Sequence, residues 1–303
     1  MSRIAFLLIL LCLLEACSSA FFYPQRPLQL TPARVGLEYE DVNLESPDHL
    51  RLHAWYLPAQ GTPKGTVLFL HGNAGNIGTH LASVYWLPPE SYNVLLLDYR
   101  GYGASEGSVS IGGALQDVEA AIDWLTTRPE VQSQGLAVFG QSLGGAFASY
   151  AVANSRHRDM IRALIMDSAF SSYRDIAREK LADFWLTWPV QWPLSLTVSD
   201  TYDPVDAIGK VSPIPVLIMH GVADRVIPVW HADRLFAAAR EPKEFWRIPG
   251  SGHIEALGRE EYRMRFKRYL DDLFVPASAD IRQGSDDLSR QSKFQSVISV
   301  FND

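Results

Sequence analysis

An α/β fold with a doubly wound, mostly parallel sheet and a small inserted cap is the architecture this sequence predicts. Three features predict it. Six short runs rich in Val, Leu and Ile recur along the chain; they alternate with stretches whose apolar residues fall at helical spacing; one long aromatic, proline-rich segment interrupts the alternation. Continuous apolar strands suit a parallel sheet covered on both faces. Strand–helix alternation implies right-handed crossovers between parallel neighbours.

The first twenty residues stand apart from that pattern. Ser2-Arg3 is a weakly positive start, Ile4 to Leu14 is an unbroken apolar run, and Glu15, Ala16, Cys17, Ser18 and Ser19 follow. The run is shorter than the roughly 20 apolar residues of a typical membrane-spanning helix, and it suits the apolar core of an export signal. Leu14-Glu15-Ala16-Cys17 resembles a bacterial lipobox, with Glu15 departing from the small or aliphatic residue usual there. That resemblance implies a lipidated Cys17 and a membrane-anchored protein of the bacterial cell envelope. A secreted or periplasmic protein with an ordinary signal peptide, or an uncleaved membrane anchor, is the alternative. The two cysteines, Cys12 and Cys17, both lie in this leader. If Cys17 is lipidated, the mature domain has no thiol for a disulfide, for Cys catalysis or for a Cys-based metal site.

Residues 21–34, with three prolines and no clear period, read as a tether. A domain from 35 to 275 follows. Its first runs, VGLEYEDVNLES and LRLHAWYL, alternate polar and apolar residues around Pro47-Asp48, the pattern of a hairpin at a sheet edge. The buried-type strands are TVLFLHG (66–72), NVLLLDY (93–99), LAVFG (136–140), ALIMDS (163–168), PVLIMHG (215–221) and EFWRIPG (244–250). Helices are expected at 113–127, 143–154, 230–240 and 259–274. Residues 171–211 read as a cap between two strands, and residues 276–303 as a polar, flexible tail. Hydrophobic residues make up 47% of the chain and charged residues 20%, enough apolar sequence to bury a large sheet. The net charge of -7 and the lack of any Lys or Arg run argue against a nucleic-acid partner.

Gly140-Gln141-Ser142-Leu143-Gly144-Gly145 carries the chemistry. It follows the strand LAVFG and opens a helix of small residues, as a nucleophile elbow requires. The nucleophile stands on a strained strand-to-helix turn, and the helix N-terminus aims its N–H groups at developing negative charge. Asp224 follows the strand PVLIMHG and His253 follows EFWRIPG, so Ser142, Asp224 and His253 come in the chain order of this template. Asp167, after the strand ALIM, is the competing acid. The backbone N–H of Leu143, directly after the nucleophile, is one expected donor to an oxyanion. The scattered His, Asp and Glu show no metal-ligand spacing, and no metal or organic cofactor is expected.

From about Leu50 to Leu273 the sequence resembles the α/β-hydrolase superfamily. The likeness is greatest to esterase-like members that share His71-Gly-Asn-Ala-Gly-Asn76 and Asp98-Tyr-Arg-Gly-Tyr-Gly103, a lineage with bacterial esterase-like and eukaryotic depalmitoylase-type members. The resemblance implies a second oxyanion donor at the Asn73 backbone. It also matches the loop from His220 to Pro228 to the family's acid loop. Asp98 and Arg100 read as residues that anchor the neighbouring turns. The cap aromatics Phe184, Trp185, Trp188 and Trp192 read as lid packing, as the wall of an acyl pocket, or as a membrane-facing patch. The expected activity is hydrolysis of carboxylic esters or thioesters through an acyl-enzyme, on a small or lipid-like acyl substrate. A serine peptidase or acyltransferase of the same fold, or an inactive ligand-binding protein with this fold, are the alternatives.

Overall fold

The computed structural model describes residues 22–183 and 185–274. The leader with Cys17, Phe184 and the tail from 275 onward lie outside the described residues. An eight-stranded sheet forms the centre. Its strands are β1 (Glu40–Glu45), β2 (Arg51–Leu57), β3 (Gly65–Leu70), β4 (Tyr92–Leu97), β5 (Leu136–Gln141), β6 (Ile161–Asp167), β7 (Val216–Gly221) and β8 (Lys243–Ile248). The spatial order is β8-β7-β6-β5-β3-β4-β2-β1. β2 runs antiparallel to both β1 and β4, and the other pairs are parallel. The expected hairpin and the six expected buried strands are therefore all present.

Alternate residues of each strand feed two cores. Leu68, Leu70, Leu95, Leu97, Leu136, Val138, Leu164, Met166, Val216 and Ile218 face one. Val67, Phe69, Val94, Leu96, Ala137, Phe139, Ala163, Ile165, Leu217 and Met219 face the other. The period of two along a strand forces this division. The first core is covered by α1 (Ile111–Thr126), α2 (Leu143–Asn154) and α4 (Trp230–Ala238), and the second by α5 (Glu260–Phe274), which buries Phe266 and Leu270. The cap holds α3 (Tyr173–Ala182), capped by Ser172 Oγ on the Asp175 amide, and the short turns Trp188–Val190 and Gln191–Ser195. Among the described residues no helix is long and apolar enough to cross a membrane.

Residues 22–34 differ from the expected tether: they form a strap seated on the domain. Tyr23–Pro24 pairs in parallel with Ala74–Gly75. Asn76 Nδ2 donates to the Gln25 and Pro27 carbonyls at 3.0 and 2.9 Å, the Gly103 amide donates to Gln25 O at 3.0 Å, and Arg26 reaches the Ser105 and Gly107 carbonyls. Leu28 and Leu30 pack on the second core. Side chains fifty residues away satisfy this extended backbone, so no period in the strap itself announces it.

Candidate active site

Ser142 joins the end of β5 to the start of α2. Its backbone stands at φ 53°, ψ -117°, a conformation that non-glycine residues rarely adopt. Two bonds hold it there: the Ser142 amide donates to Asp167 O at 2.8 Å, and Ser142 O accepts from the Gly145 amide at 3.0 Å. The flanking glycines are required by space. A Cβ at Gly140 would lie 2.2 Å from Gly144 O, and one at Gly144 would lie 2.0 Å from Leu70 O. The Ser142 hydroxyl makes no capping bond to its helix, although it occupies the N-cap position. Leu143 follows as the first residue of α2, where an amide has no acceptor within the helix.

The expected acid and base meet. His253 Nδ1 lies 2.8 Å from Asp224 Oδ2, while Asp224 Oδ1 accepts from the Val226 and Ile227 amides at 2.8 and 2.9 Å. Burial pushes the Asp224 carboxyl up, but the imidazole and the two amides outweigh it and hold the group below the ordinary carboxylate range. The acid and His loops also touch through backbone. The Ala223 amide donates to Ser251 O at 3.0 Å, and a Cβ at Gly221 would lie 2.3 Å from that same oxygen.

The end of β6 brings this pair to Ser142. Asp167 O receives the Ser142 amide, and the next residue, Ser168, accepts the Ile254 amide on its Oγ at 3.1 Å. One strand end thus brackets the elbow and the loop that carries His253. Ser168 and Ile254 both stand at φ 53°. Among the described residues no hydrogen bond links Ser142 Oγ to His253; such bonds are often long before substrate binds and tighten with it. Asp167, the competing acid, is turned elsewhere. It is fully buried, takes Gln141 Nε2 at 2.9 Å and Ser168 Oγ at 3.3 Å, and burial pushes its carboxyl up to about 6.

The loop His71–Asn76 lies beside Ser142: a Cβ on Gly72 would come within 3.5 Å of Ser142 Cβ. The Asp98–Gly103 turn holds this loop. Tyr99 Oη donates to His71 O at 3.0 Å, and Tyr102 Oη lies 2.9 Å from both Asn73 O and Oδ1, which share its one proton. Asp98 Oδ1 accepts the Ile77 amide at 3.0 Å. The two motifs are therefore one mechanical unit, and Tyr99, Tyr102 and Ser168 are positioning residues that sequence reading did not single out. The tyrosines stand inside a recognised motif; Ser168 gives no local signal. From the other side the Tyr23 amide of the strap donates to Asn73 Oδ1 at 3.2 Å, which fixes the residue expected to supply the second oxyanion donor. Arg100 is consumed structurally, bonded to Asp117 and Asp48 and nearly buried. His71 and His220 are fully buried, and burial holds the His71 imidazole down at about 3.

The tryptophans expected as a pocket wall stand on the outside of the cap. Trp185, Trp188 and Trp192 are 77%, 61% and 63% exposed. Short turns of three to five residues cannot bury every indole they carry, and α3 packs against them. A cavity of about 220 Å³ does lie under the cap, lined by Asp175, Arg178, Glu179, Ala182, Gln191 and Trp230. Glu119, Asp123 and His157 approach one another on the surface, but Arg156 already pairs with both acids, which leaves little net charge for a cation.

The sheet order, the elbow and the three loops at the carboxyl edge define an α/β hydrolase, and the comparisons agree. The profile of the family described as serine aminopeptidase, S33 matches residues 61–200. The YfhR protein of Salmonella typhi is 40% identical over 252 residues, 79% of this chain and 82% of that protein. WAV2 of Arabidopsis thaliana, an alpha/beta hydrolase domain-containing protein, is 37% identical over 256 residues, 80% of this chain and 82% of its own. An esterase of Pyrococcus furiosus superposes with a TM-score of 0.68 at 23% identity, covering 84% of this chain and 98% of that one. The chain belongs to the α/β-hydrolase family, among the relatives of YfhR and WAV2.

Proposed function

We propose that this hydrolase cleaves carboxylic esters or thioesters through an acyl-enzyme on Ser142. The observation that carries the reading is the 2.8 Å bond from His253 Nδ1 to Asp224 on the loop bracketed to Ser142. With Nδ1 committed to the carboxylate, Nε2 is the nitrogen left to take a proton. Ser142 Oγ attacks the acyl carbon as its proton passes to His253 Nε2. The carbonyl electron pair moves onto oxygen, toward the Leu143 and Asn73 amides. The intermediate collapses, the alcohol or thiol leaves with the proton from His253, and water repeats the sequence to release the acid. Asp224 keeps the imidazole in the working tautomer and stabilises its cation.

The test is covalent labelling by a fluorophosphonate, read by intact mass, beside Ser142→Ala. Labelling of the parent alone supports the reading; a folded parent that stays unlabelled favours the inactive ligand-binding alternative. The matched family description favours a second reading, a serine peptidase. Parallel panels of aminoacyl amides and acyl esters separate the two by their kcat/KM. We further place the protein in the bacterial cell envelope, held by a lipid on Cys17. Metabolic labelling with a radioactive fatty acid, lost in Cys17→Ser, tests that placement.

A further inference from the structure

The outer surface of the cap is apolar over a continuous stretch of chain. Residues 185–199 contain no Asp, Glu, Lys or Arg. Within them Trp185, Leu186, Trp188, Val190, Trp192, Leu194 and Leu196 are all exposed. Trp230, also exposed, shares the under-cap cavity with Gln191, and the exposed Val222 and Val226 flank Asp224. Exposed apolar side chains therefore stand both on the cap and beside the acid loop. Exposed apolar side chains at this density along one segment mark an interaction surface, and exposed indoles are the side chains that favour the boundary between lipid headgroups and acyl chains.

The strap says what that surface meets. Its first described residues are bonded to Asn73, Ala74 and Gly75, at the carboxyl edge of the sheet. The cap leaves the sheet after β6 at the same edge. The apolar run ends at Leu14, and the lipobox-like cysteine is residue 17. At about 3.3–3.6 Å per residue, the chain from Tyr23 reaches roughly 20 Å to Cys17 and roughly 30 Å to Leu14. A folded unit of this size is roughly 45 Å across. A leash shorter than the body it holds, attached at one edge, turns that edge toward the anchor. A free tether out to residue 34 would have imposed no such orientation.

We infer that the cap surface centred on Trp185, Trp188 and Trp192 lies on a lipid bilayer, with its indoles in the interface and the carboxyl edge of the sheet facing the lipid. The occupant is the membrane itself, and the site opens toward acyl chains held there. This inference rests on the envelope-anchor reading and goes beyond it, since an anchored domain need not be docked.

The test uses the full chain reconstituted in phosphatidylethanolamine–phosphatidylglycerol vesicles, with and without brominated acyl chains, which quench nearby indoles. Three of the eight tryptophans stand at the centre of the patch, so emission in brominated vesicles falls by about a third when these indoles enter the interface. The triple variant Trp185→Ser, Trp188→Ser, Trp192→Ser loses that quenching, with its thermal melt recorded beside it. The single variant Trp185→Ser, at the most exposed position, serves if the triple variant misfolds, and it loses part of the effect. Protein that floats with the vesicles but is not quenched overturns the docked orientation and leaves the anchor standing. This includes two copies cross-linked cap to cap. Protein that does not float with the vesicles overturns both.

Discussion

Replacing Asp224 by Asn tests the proposed chemistry most directly. The carboxylate makes three bonds, one to His253 Nδ1 and two from the Val226 and Ile227 amides. Asparagine keeps an oxygen for the two amides, so the loop from Gly221 to Ile227 is preserved. It replaces the other oxygen with an NH2, a donor, facing Nδ1. The imidazole must then accept at Nδ1 and carry its proton on Nε2, which leaves it unable to take the Ser142 proton. Loss of the working tautomer costs about 10⁴-fold in kcat, or about 5 kcal/mol of barrier. The lost charge-assisted bond costs about 1.5–3 kcal/mol of stability, so the variant stays folded. The assay is hydrolysis of p-nitrophenyl butyrate, with a urea melt on the same preparation. Asp167→Asn is the control, because that carboxyl is bonded to Gln141 and Ser168 and not to His253; it keeps kcat within tenfold. A folded Asp224→Asn enzyme within tenfold of the parent refutes the reasoning, and a collapse in Asp167→Asn instead transfers the role to that residue.

Further outcomes follow from the same geometry. Gly144→Ala places a Cβ 2.0 Å from Leu70 O and 2.6 Å from His71 O; backbone cannot yield as side chains do, and urea titration should give a loss of about 3 kcal/mol. Asn76→Ala removes a helix cap and both bonds to the strap; about 1 kcal/mol for each of the three gives a loss near 3 kcal/mol, with faster hydrogen exchange at Gln25. Asp167 gives a pH signature. Its folded value of about 6 stands above the ordinary value of 3.8, so between those limits the native state holds a proton that the unfolded chain has released, and stability falls as pH rises through the window. The two-unit shift is worth about 3 kcal/mol. Urea melts from pH 4.5 to 7.5 should show Asp167→Asn gaining on the parent by about 2 kcal/mol of that total, and a constant difference would count against it.

Much of this was legible in the sequence because it is local. A buried parallel strand is a continuous apolar run, and β3 to β8 were found within two or three residues at their ends. α2 spans the expected 143–154, fixed by Ser142 before it and by small residues along it. The approach of Asp224 to His253 could be anticipated from strand ends, from the chain order of the hydrolase template and from the likeness of His220 to Pro228 to the family's acid loop. What escaped depends on long-range pairing. The Ser168–Ile254 bond joins residues 86 apart, and neither position carries a local signal. The cap tryptophans were recognised as unusual, but turns without a regular period do not reveal which face an indole takes.

The strap shows why composition alone misled. Its prolines and lack of period predict a tether, and much of it does run without regular structure. An extended chain is loose only if its backbone groups are left to water. Here Asn76, with one oxygen, accepts two amides of its own helix and, with its nitrogen, donates to two strap carbonyls. The residue that closes the oxyanion-loop motif is thus also the clasp of the N-terminal segment. Tyr23 adds a bond to Asn73 itself. A chain cut to begin at residue 35 would leave Asn76 Nδ2 and Asn73 Oδ1 without these partners next to Ser142. The strap belongs with the site, since its Tyr23 amide bonds directly to the residue expected to supply the second oxyanion donor.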